Sequence, residues 1–318
     1  MTVVAMPEAM QANGPADVDH PLRRALRSGR VVVGGSILGL IVLVCVGTMP
    51  MTLGQTQLYY DLQNQNVVRM PPAWTPFTMV FGTDGLGRSL LARCLLGGVI
   101  SLAVGFAAAG ISLVLGVSVG LVAGYRGGWV DSVLMRVVDI LYGLPYILLV
   151  ILFKIALEPV LGGHMSAQAA NMVVLFSAIG LVSWLTMARV VRGQVLSLRG
   201  QPFVEACRAV GLSEPRIFLR HILPNLIGPV IVYATLTVPN AILQESFLSF
   251  LGMGIVDPLP SWGKLAGDGL LTALNPLNPR WWMLLFPCLL LVVTLLSLNF
   301  LGDGLRDVFD PKRDAAKI

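Results

Sequence analysis

Residues 97–124 read GGVISLAVGFAAAGISLVLGVSVGLVAG and contain no Asp, Glu, Lys or Arg. A helix that crosses the hydrocarbon core of a bilayer needs about 20 predominantly apolar residues, so this stretch is predicted to span a membrane. The whole chain is similar, because 55% of its 318 residues are hydrophobic and 12% are charged, against about 25% charged in a soluble domain. This composition excludes a soluble enzyme and a nucleic-acid-binding module and indicates an all-α, polytopic membrane protein.

Five further apolar stretches flank this one, so we predict six transmembrane helices. The other five cover residues 31–49, 133–157, 172–191, 222–250 and 281–301. The chain is expected to divide into an N-terminal segment (1–30), a first span (31–50), a long loop (51–96), a core with the other five spans (97–305) and a tail (306–318).

The distribution of basic residues predicts the orientation, because cytoplasmic loops of membrane proteins are enriched in Lys and Arg. With the N-terminus inside, sixteen of the 22 basic residues lie on the cytoplasmic side, namely Arg23, Arg24, Arg27, Arg30, Arg126, Arg136, Arg189, Arg192, Arg199, Arg208, Arg216, Arg220, Arg306, Lys312, Arg313 and Lys317. Six lie outside, namely Arg69, Arg88, Arg93, Lys154, Lys264 and Arg280. Both termini are therefore predicted to be cytoplasmic.

The second span carries a stripe of small residues, one every fourth position, at Ala108, Ser112, Gly116, Gly120 and Gly124. Residues at this spacing share one helix face, and small side chains let a neighbouring helix approach closely. We interpret the stripe as a helix-packing face. The alternative is that Gly and Ala are simply frequent in membrane helices.

Residues 192–221, between the fourth and fifth spans, are too polar to insert and carry helix signals. Pro202 suits the first turn of a helix, and Gly211 can adopt the left-handed conformation that ends one. Ser213 is a plausible N-cap for a second helix, with Glu214 in its first turn. The loop is therefore predicted to form a short, rigid helix on the cytoplasmic side.

Residues 205–211 (EACRAVG), followed by 221–225 (HILPN), resemble the EAA loop of ABC importer permeases. The position after Glu-Ala is usually Ala and is Cys207 here, a change between small residues. In that family the loop is the coupling helix, which lies in a groove of the ATPase subunit. The resemblance assigns this role to Glu205, Ala206, Cys207, Arg208, Gly211, Leu223 and Pro224.

Other stretches resemble the C-type permease of dipeptide and oligopeptide importers. They are residues 81–88 (FGTDGLGR), 127–131 (GGWVD), 135–136 (MR), 246–252 (SFLSFLG), 260–263 (PSWG) and 302–307 (GDGLRD). The chain departs from that pattern at Ser89, Ala92 and Val99, where Asp, Ser and Arg are usual. The resemblance covers about residues 30–312.

The resemblance implies a type I importer permease fold in the bacterial inner membrane. It also implies a heterodimer with a homologous permease, two ABC ATPase subunits and an extracytoplasmic substrate-binding protein. ATP and Mg would be bound by the ATPases, and this chain would bind no cofactor and catalyse no reaction. The expected cargo is a peptide, with nickel, glutathione or a peptide antibiotic as alternatives.

Two carboxylates lie in or near the spans, where burial without a partner is costly. For Asp139 we favour a salt bridge to Arg136 or to arginines of the fourth span over a role in the translocation path. For Glu245 a cavity-facing role and a structural hydrogen bond remain equally open. Glu205 could in principle be a catalytic acid, but it has no His or Asp near it in sequence, so contact with an ATPase is preferred.

A secondary transporter and a membrane enzyme are the alternative function classes. A secondary transporter would need coupling-ion residues near the bilayer midplane and often shows an inverted repeat. A membrane enzyme would need a catalytic constellation, and the sequence contains no phosphate-binding G-x-x-x-x-G-K-[ST], H-E-x-x-H or G-x-S-x-G motif. Cys45, Cys94, Cys207 and Cys288 are far apart, so neither a disulfide framework nor a metal site is expected.

Overall fold

A computed structural model describes residues 26–163 and 165–309. These residues form helices joined by loops, with one isolated bridge between Thr83 and Ser89 and no strand within the described ranges. The helices are α1 (Gly29–Gly47), α2 (Met49–Leu53), α3 (Leu90–Arg126), α4 (Gly128–Tyr142), α5 (Tyr146–Gly162), α6 (Ala167–Arg199), α7 (Pro202–Ala209), α8 (Glu214–Ile217), α9 (Leu223–Phe250), α10 (Trp262–Ala273) and α11 (Trp282–Phe309). The predicted all-α class is confirmed.

Five helical segments of the described chain are long and apolar enough to cross a membrane: Gly29–Leu53, Leu90–Arg126, Ala167–Arg199, Glu214–Phe250 and Trp282–Phe309. The count rises to six if α4 and α5 together form one span. Most of the predicted N-terminal segment (1–30) and of the tail (306–318) lies outside the described residues.

The predicted third span (133–157) is wrong as a single helix. The structure divides it into α4 and α5, which are bent by 100° at the break between them. Pro145 lies in that break, and proline disfavours the helical conformation of the residue before it, here Leu144. Composition measures how apolar a stretch is, and it does not report a change of direction.

Other helix boundaries differ from the prediction. α3 begins before residue 97, and α6 continues to Arg199, so the first part of the predicted 192–221 loop is helical. Pro229 and Pro239 lie inside α9 without ending it. α10 was not predicted, although Ser261 gives it a side-chain N-cap by accepting a hydrogen bond from the backbone N–H of Lys264 at 3.1 Å.

The stripe of small residues on α3 faces α6. A Cβ atom placed on Gly120 would lie 2.6 Å from the carbonyl oxygen of Ala188, and one on Gly124 would lie 2.7 Å from the Cβ of Val195. One on Gly116 would be 2.9 Å from the Trp184 carbonyl oxygen. The two backbones therefore approach more closely than any larger side chain would allow.

Helix α10 is held against α3 by hydrogen bonds at its first residue. The backbone N–H of Trp262 donates to Ser101 Oγ at 3.1 Å, and its indole Nε1–H donates to the carbonyl oxygen of Cys94 at 2.9 Å. The Trp262 side chain is completely buried. A buried indole requires such an acceptor, so this contact sets the position of α10 on α3.

Replacing Gly120 by Ala should destabilise the protein by about 1–3 kcal/mol, because the added methyl group would collide with backbone of α6. Gly110→Ala is the matched control, since a Cβ on Gly110 of the same helix meets nothing within 4 Å. The measurement is the unfolding temperature of each purified variant in detergent. Equal unfolding temperatures for the two variants would contradict the close contact between α3 and α6.

Candidate functional site in the loop between α6 and α9

Helix α7 of this loop has defined ends. Pro202 occupies its first turn, where a missing N–H leaves no hydrogen bond unmade. At the other end, the N–H of Gly211 donates to the Arg208 carbonyl at 2.9 Å and that of Leu212 to the Cys207 carbonyl at 3.1 Å. This pair of bonds is the Schellman motif, so α7 ends at one fixed turn.

Gly211 has a φ of +83°, a conformation that L side chains rarely adopt. A Cβ at this position would meet nothing within 4 Å, so glycine is required by the backbone and not by packing. The turn directs the chain into α8, and a side chain here would strain that change of direction.

Helix α8 begins directly after Ser213 and joins α9 through a π-helical turn at Phe218–Ile222. Ser213 is the N-cap residue of α8, as predicted, although its side chain makes no cap hydrogen bond. Its backbone carbonyl accepts hydrogen bonds from the N–H groups of Arg216 and Ile217 instead. The loop therefore runs without a flexible joint from α8 into α9.

An ion pair joins α7 to α8. Arg208 Nε donates to Glu214 Oε1 at 2.7 Å, and both side chains are well exposed. The hydrogen bond that Arg208 donates to Glu214 raises the pKa of Arg208. An exposed pair of this kind contributes little to stability, and it bridges the two short helices.

The inner side of the loop packs into a hydrophobic cluster. Val204 of α7 and Ile217 of α8 are completely buried. They pack with buried side chains of α6, the π-helical turn and α9, namely Met187, Val191, Val195, Ile222 and Leu226. Cys207 and Leu223 pack against the same cluster. The loop is therefore part of the folded core and attached to two spans at once.

The other side of the loop is exposed and mixes apolar and charged groups. Glu205 and Ala206 are exposed on α7, and Pro224 is exposed in the first turn of α9. Val210 is 83% exposed and Leu219 60% exposed. Glu205 has no ion-pair partner among the described residues. Exposed apolar side chains beside free charges are typical of a surface that binds another protein.

A further connection ties the loop to α3. Arg199, the last residue of α6, donates from Nη1 to the carbonyl oxygens of Gly124 and Tyr125, each at 3.0 Å. The Tyr125 ring also lies 4.5 Å from the ring of Phe218. The sequence did not reveal these contacts, because they join residues far apart in the chain.

The two intramembrane carboxylates lie elsewhere and each has polar partners. Asp139 Oδ1 accepts a hydrogen bond from Arg189 of α6 at 2.8 Å, and both side chains are at least partly exposed. Glu245 is completely buried on α9, and its Oε1 accepts from Ser249 Oγ at 2.6 Å and from Ser261 Oγ at 2.7 Å. In this structure Glu245 joins α9 to the N-cap of α10.

Polar side chains of α5, α6 and α9 also meet at a place that the sequence did not predict. Tyr146 of α5 is hydrogen-bonded to Gln244 of α9 and lies 3.4 Å from the hydroxyl of Ser183 on α6. They line a cavity of about 340 Å³ together with Thr186, Thr237, Asn240 and six apolar or aromatic residues. Asn240 is exposed on this chain, and an exposed amide is costly against lipid.

Within residues 26–163 and 165–309, three or more His, Cys, Asp or Glu side chains nowhere come together in a way that could hold a metal ion. His164 lies outside the described residues.

Relatives of known function are similar to most of the chain. It is 41% identical over 91% of its length to the dipeptide transport system permease protein DppC of Bacillus subtilis strain 168, of which it covers 84%. It is 44% identical over 91% of its length to the oligopeptide transport system permease protein OppC of Escherichia coli strain K12, of which it covers 90%.

The fold is similar to that of a chain from the MetNI methionine ABC transporter, solved in inward-facing conformations. The TM-score is 0.54 at 21% identity, over 69% of this chain and 97% of that one. Residues 116–315, which include the loop and the polar cavity, match the family described as binding-protein-dependent transport system inner membrane component. The protein belongs to this family of membrane transport components, as the resemblance predicted.

Proposed function

We propose that the chain is the permease subunit of an ATP-driven importer and forms half of a translocation path for short peptides. The observation that carries the proposal is the rigid loop between α6 and α9, whose inner side is embedded in the core and whose outer side is exposed. The peptide cargo is supported by the relatives, which are named as dipeptide and oligopeptide permeases.

The loop has the mechanical properties that coupling requires. Force from a partner on the exposed side of α7 acts through Val204 on the core cluster, and so on α6 and α9 together. Protein interiors are densely packed and transmit such displacement instead of absorbing it. Closure of an ATPase dimer under the membrane would therefore move both spans as one body.

The proposal extends to the remaining subunits of the importer. Asn240 and Thr186 are exposed polar residues on two spans, and a homologous permease or a water-filled path would cover them. ATP and Mg would be bound by two ABC ATPase subunits, which would carry out hydrolysis. An extracytoplasmic binding protein would deliver the peptide to the opposite side.

The orientation completes the proposal: both termini and the α6–α9 loop are cytoplasmic, as the bias in basic residues indicates. A reporter enzyme that is active only in the cytoplasm, fused after Ile318, should be active. The same reporter inserted after Gln65, in the loop before α3, should be inactive. Activity at Gln65 or inactivity at Ile318 would contradict this orientation.

We expect Glu205→Arg and Gly211→Val to insert normally but to lose ATPase docking and peptide uptake. Loss of a buried, paired interfacial charge typically costs about 2–5 kcal/mol of binding. A β-branched residue at the positive φ of Gly211 costs about 1–3 kcal/mol and misdirects α8. Co-purification of the ATPase and uptake of a labelled dipeptide are the measurements.

Gly200→Val is the matched control for Gly211→Val. Gly200 has a φ of −87° and lies just before α7, and a Cβ there would be 3.8 Å from the nearest atom, an ordinary contact. It should keep both docking and uptake. Wild-type docking and uptake in Glu205→Arg and Gly211→Val would show that the loop is a plain linker. Uptake by the purified chain without ATP would favour a secondary transporter.

A substitution in the polar cavity should affect passage of the peptide without affecting docking of the ATPase. Asn240→Leu removes a polar group from the proposed path, so uptake of a labelled dipeptide should fall several-fold. ATPase co-purification should stay at the wild-type level, because Asn240 lies on α9 far along the chain from the loop. Unchanged uptake would remove this cavity from the path.

A further inference from the structure

A second, larger cavity lies on the side of the molecule opposite the α6–α9 loop. Its volume is about 650 Å³, within the range of small-molecule sites. It is enclosed by the loop before α3, the first turn of α3, the segment around α10 and the start of α11. Its charged lining consists of Asp61, Arg69, Asp84, Arg88, Arg93, Asp257 and Asp268.

Arg93 is the least satisfied group of this lining. Its side chain has no solvent exposure, and its guanidinium lies 3.4 Å from Asp84 Oδ2. That approach lacks hydrogen-bond geometry, and Nε, Nη1 and Nη2 all have no hydrogen-bond partner among the described residues. Buried polar groups are nearly always hydrogen-bonded, so three such nitrogens on one charged side chain require an explanation.

Its neighbour Arg88 shows what a satisfied arginine looks like in the same cavity. Arg88 Nε donates to Asp84 Oδ2 at 2.7 Å, and its Nη1 donates to Asp61 Oδ1 at 3.0 Å. Asp84 also accepts two backbone N–H groups on Oδ1, from Leu86 and from Arg88. Asp84 is therefore already committed, and Arg93 lacks a carboxylate of its own.

The chemistry of the missing partner follows from the shape of the side chain. A guanidinium presents its N–H donors in a planar fork that matches a carboxylate with two parallel hydrogen bonds. The acidic groups that share the lining disfavour a multiply charged anion. A ligand with a single carboxylate is the better match to Arg93.

The exposed part of the lining is acidic. The side chains of Asp257 and Asp268 are 67% and 49% exposed, and both pair with Lys264, at 3.3 and 3.7 Å. Burial raises the pKa of the Asp268 carboxyl above its usual range, although Lys264 acts in the opposite direction. The single ammonium of Lys264 is shared by Asp257 and Asp268, so a second cation can bind near the two carboxylates.

We propose that this cavity binds a short peptide, with the peptide's terminal carboxylate on Arg93 and its terminal amine near Asp257 and Asp268. This inference rests on the proposed function for the class of ligand, and on the geometry for the existence and polarity of the site. It adds a peptide-binding site on the external side of the permease, before the membrane path.

The test is equilibrium binding of labelled alanyl-phenylalanine to the complete transporter in nanodiscs, without the substrate-binding protein. The same dipeptide with an amidated C-terminus lacks the carboxylate. We expect the free dipeptide to bind at least tenfold more tightly than the amide. Arg93→Lys should abolish that preference, since an ammonium lacks the planar fork.

Because Arg93 is buried, its substitution can misfold the protein. A second variant, at an exposed residue, therefore tests the site independently. Gln63→Trp places a large ring on an exposed residue of the cavity lining and should weaken dipeptide binding at least tenfold. Gln65→Trp is the matched control, an exposed residue outside the lining, and should bind as the wild type does. Peptide uptake in cells that contain the binding protein tests the proposed function separately.

The outcomes are distinct. Absence of wild-type binding at millimolar dipeptide, equal binding of the amide, or unchanged binding in Gln63→Trp would each overturn the site, even if uptake is normal. A Gln63→Trp variant that loses only stimulation by the binding protein would make this surface a protein contact and overturn the site as well. Absence of peptide uptake by the wild type would instead contradict the proposed function.

Discussion

Close backbone contact between α3 and α6 is the constraint on which the rest of the structure depends. Lipid is as apolar as the side chains of a span, so helices associate in a membrane through packing and hydrogen bonds. The Gly116, Gly120 and Gly124 face provides that packing, and Ser112 adds a hydrogen bond to the Ser183 carbonyl of α6 at 3.1 Å. Both helices then have fixed ends at the α6–α9 loop, and α6 also provides a fixed wall of the polar cavity.

The loop takes its rigidity from the end of that same contact. Arg199 closes α6 by binding the last carbonyls of α3, next to Gly124, so the loop starts from a position that two helices determine. Val204 and Ile217 then fix α7 and α8 to the core. The opposite side of α7, with Glu205, is exposed. Because α7 is packed against α6 and α9, we expect a displacement of α7 to move both spans.

The amount that sequence could predict differs between fold and site. Predominantly apolar stretches predicted the spans, because insertion depends on composition over about 20 residues. The 100° bend before Pro145 and helix α10 were missed, because direction and short polar helices leave little trace in composition. The loop was recognised from local residues 205–211. Arg199, Gln244 and Arg93 were not, because their roles arise from contacts with residues distant in the chain.

The long helix α9 connects the two ends of the molecule. It begins at the loop, and near its other end the buried Glu245 accepts hydrogen bonds from Ser249 and from Ser261, the N-cap of α10. Breaking buried hydrogen bonds is costly, so we expect α10 to move together with α9. α10 carries Asp268 on the wall of the external cavity. Displacement of the α6–α9 loop would therefore reach that cavity through α9 and the hydrogen bonds of Glu245.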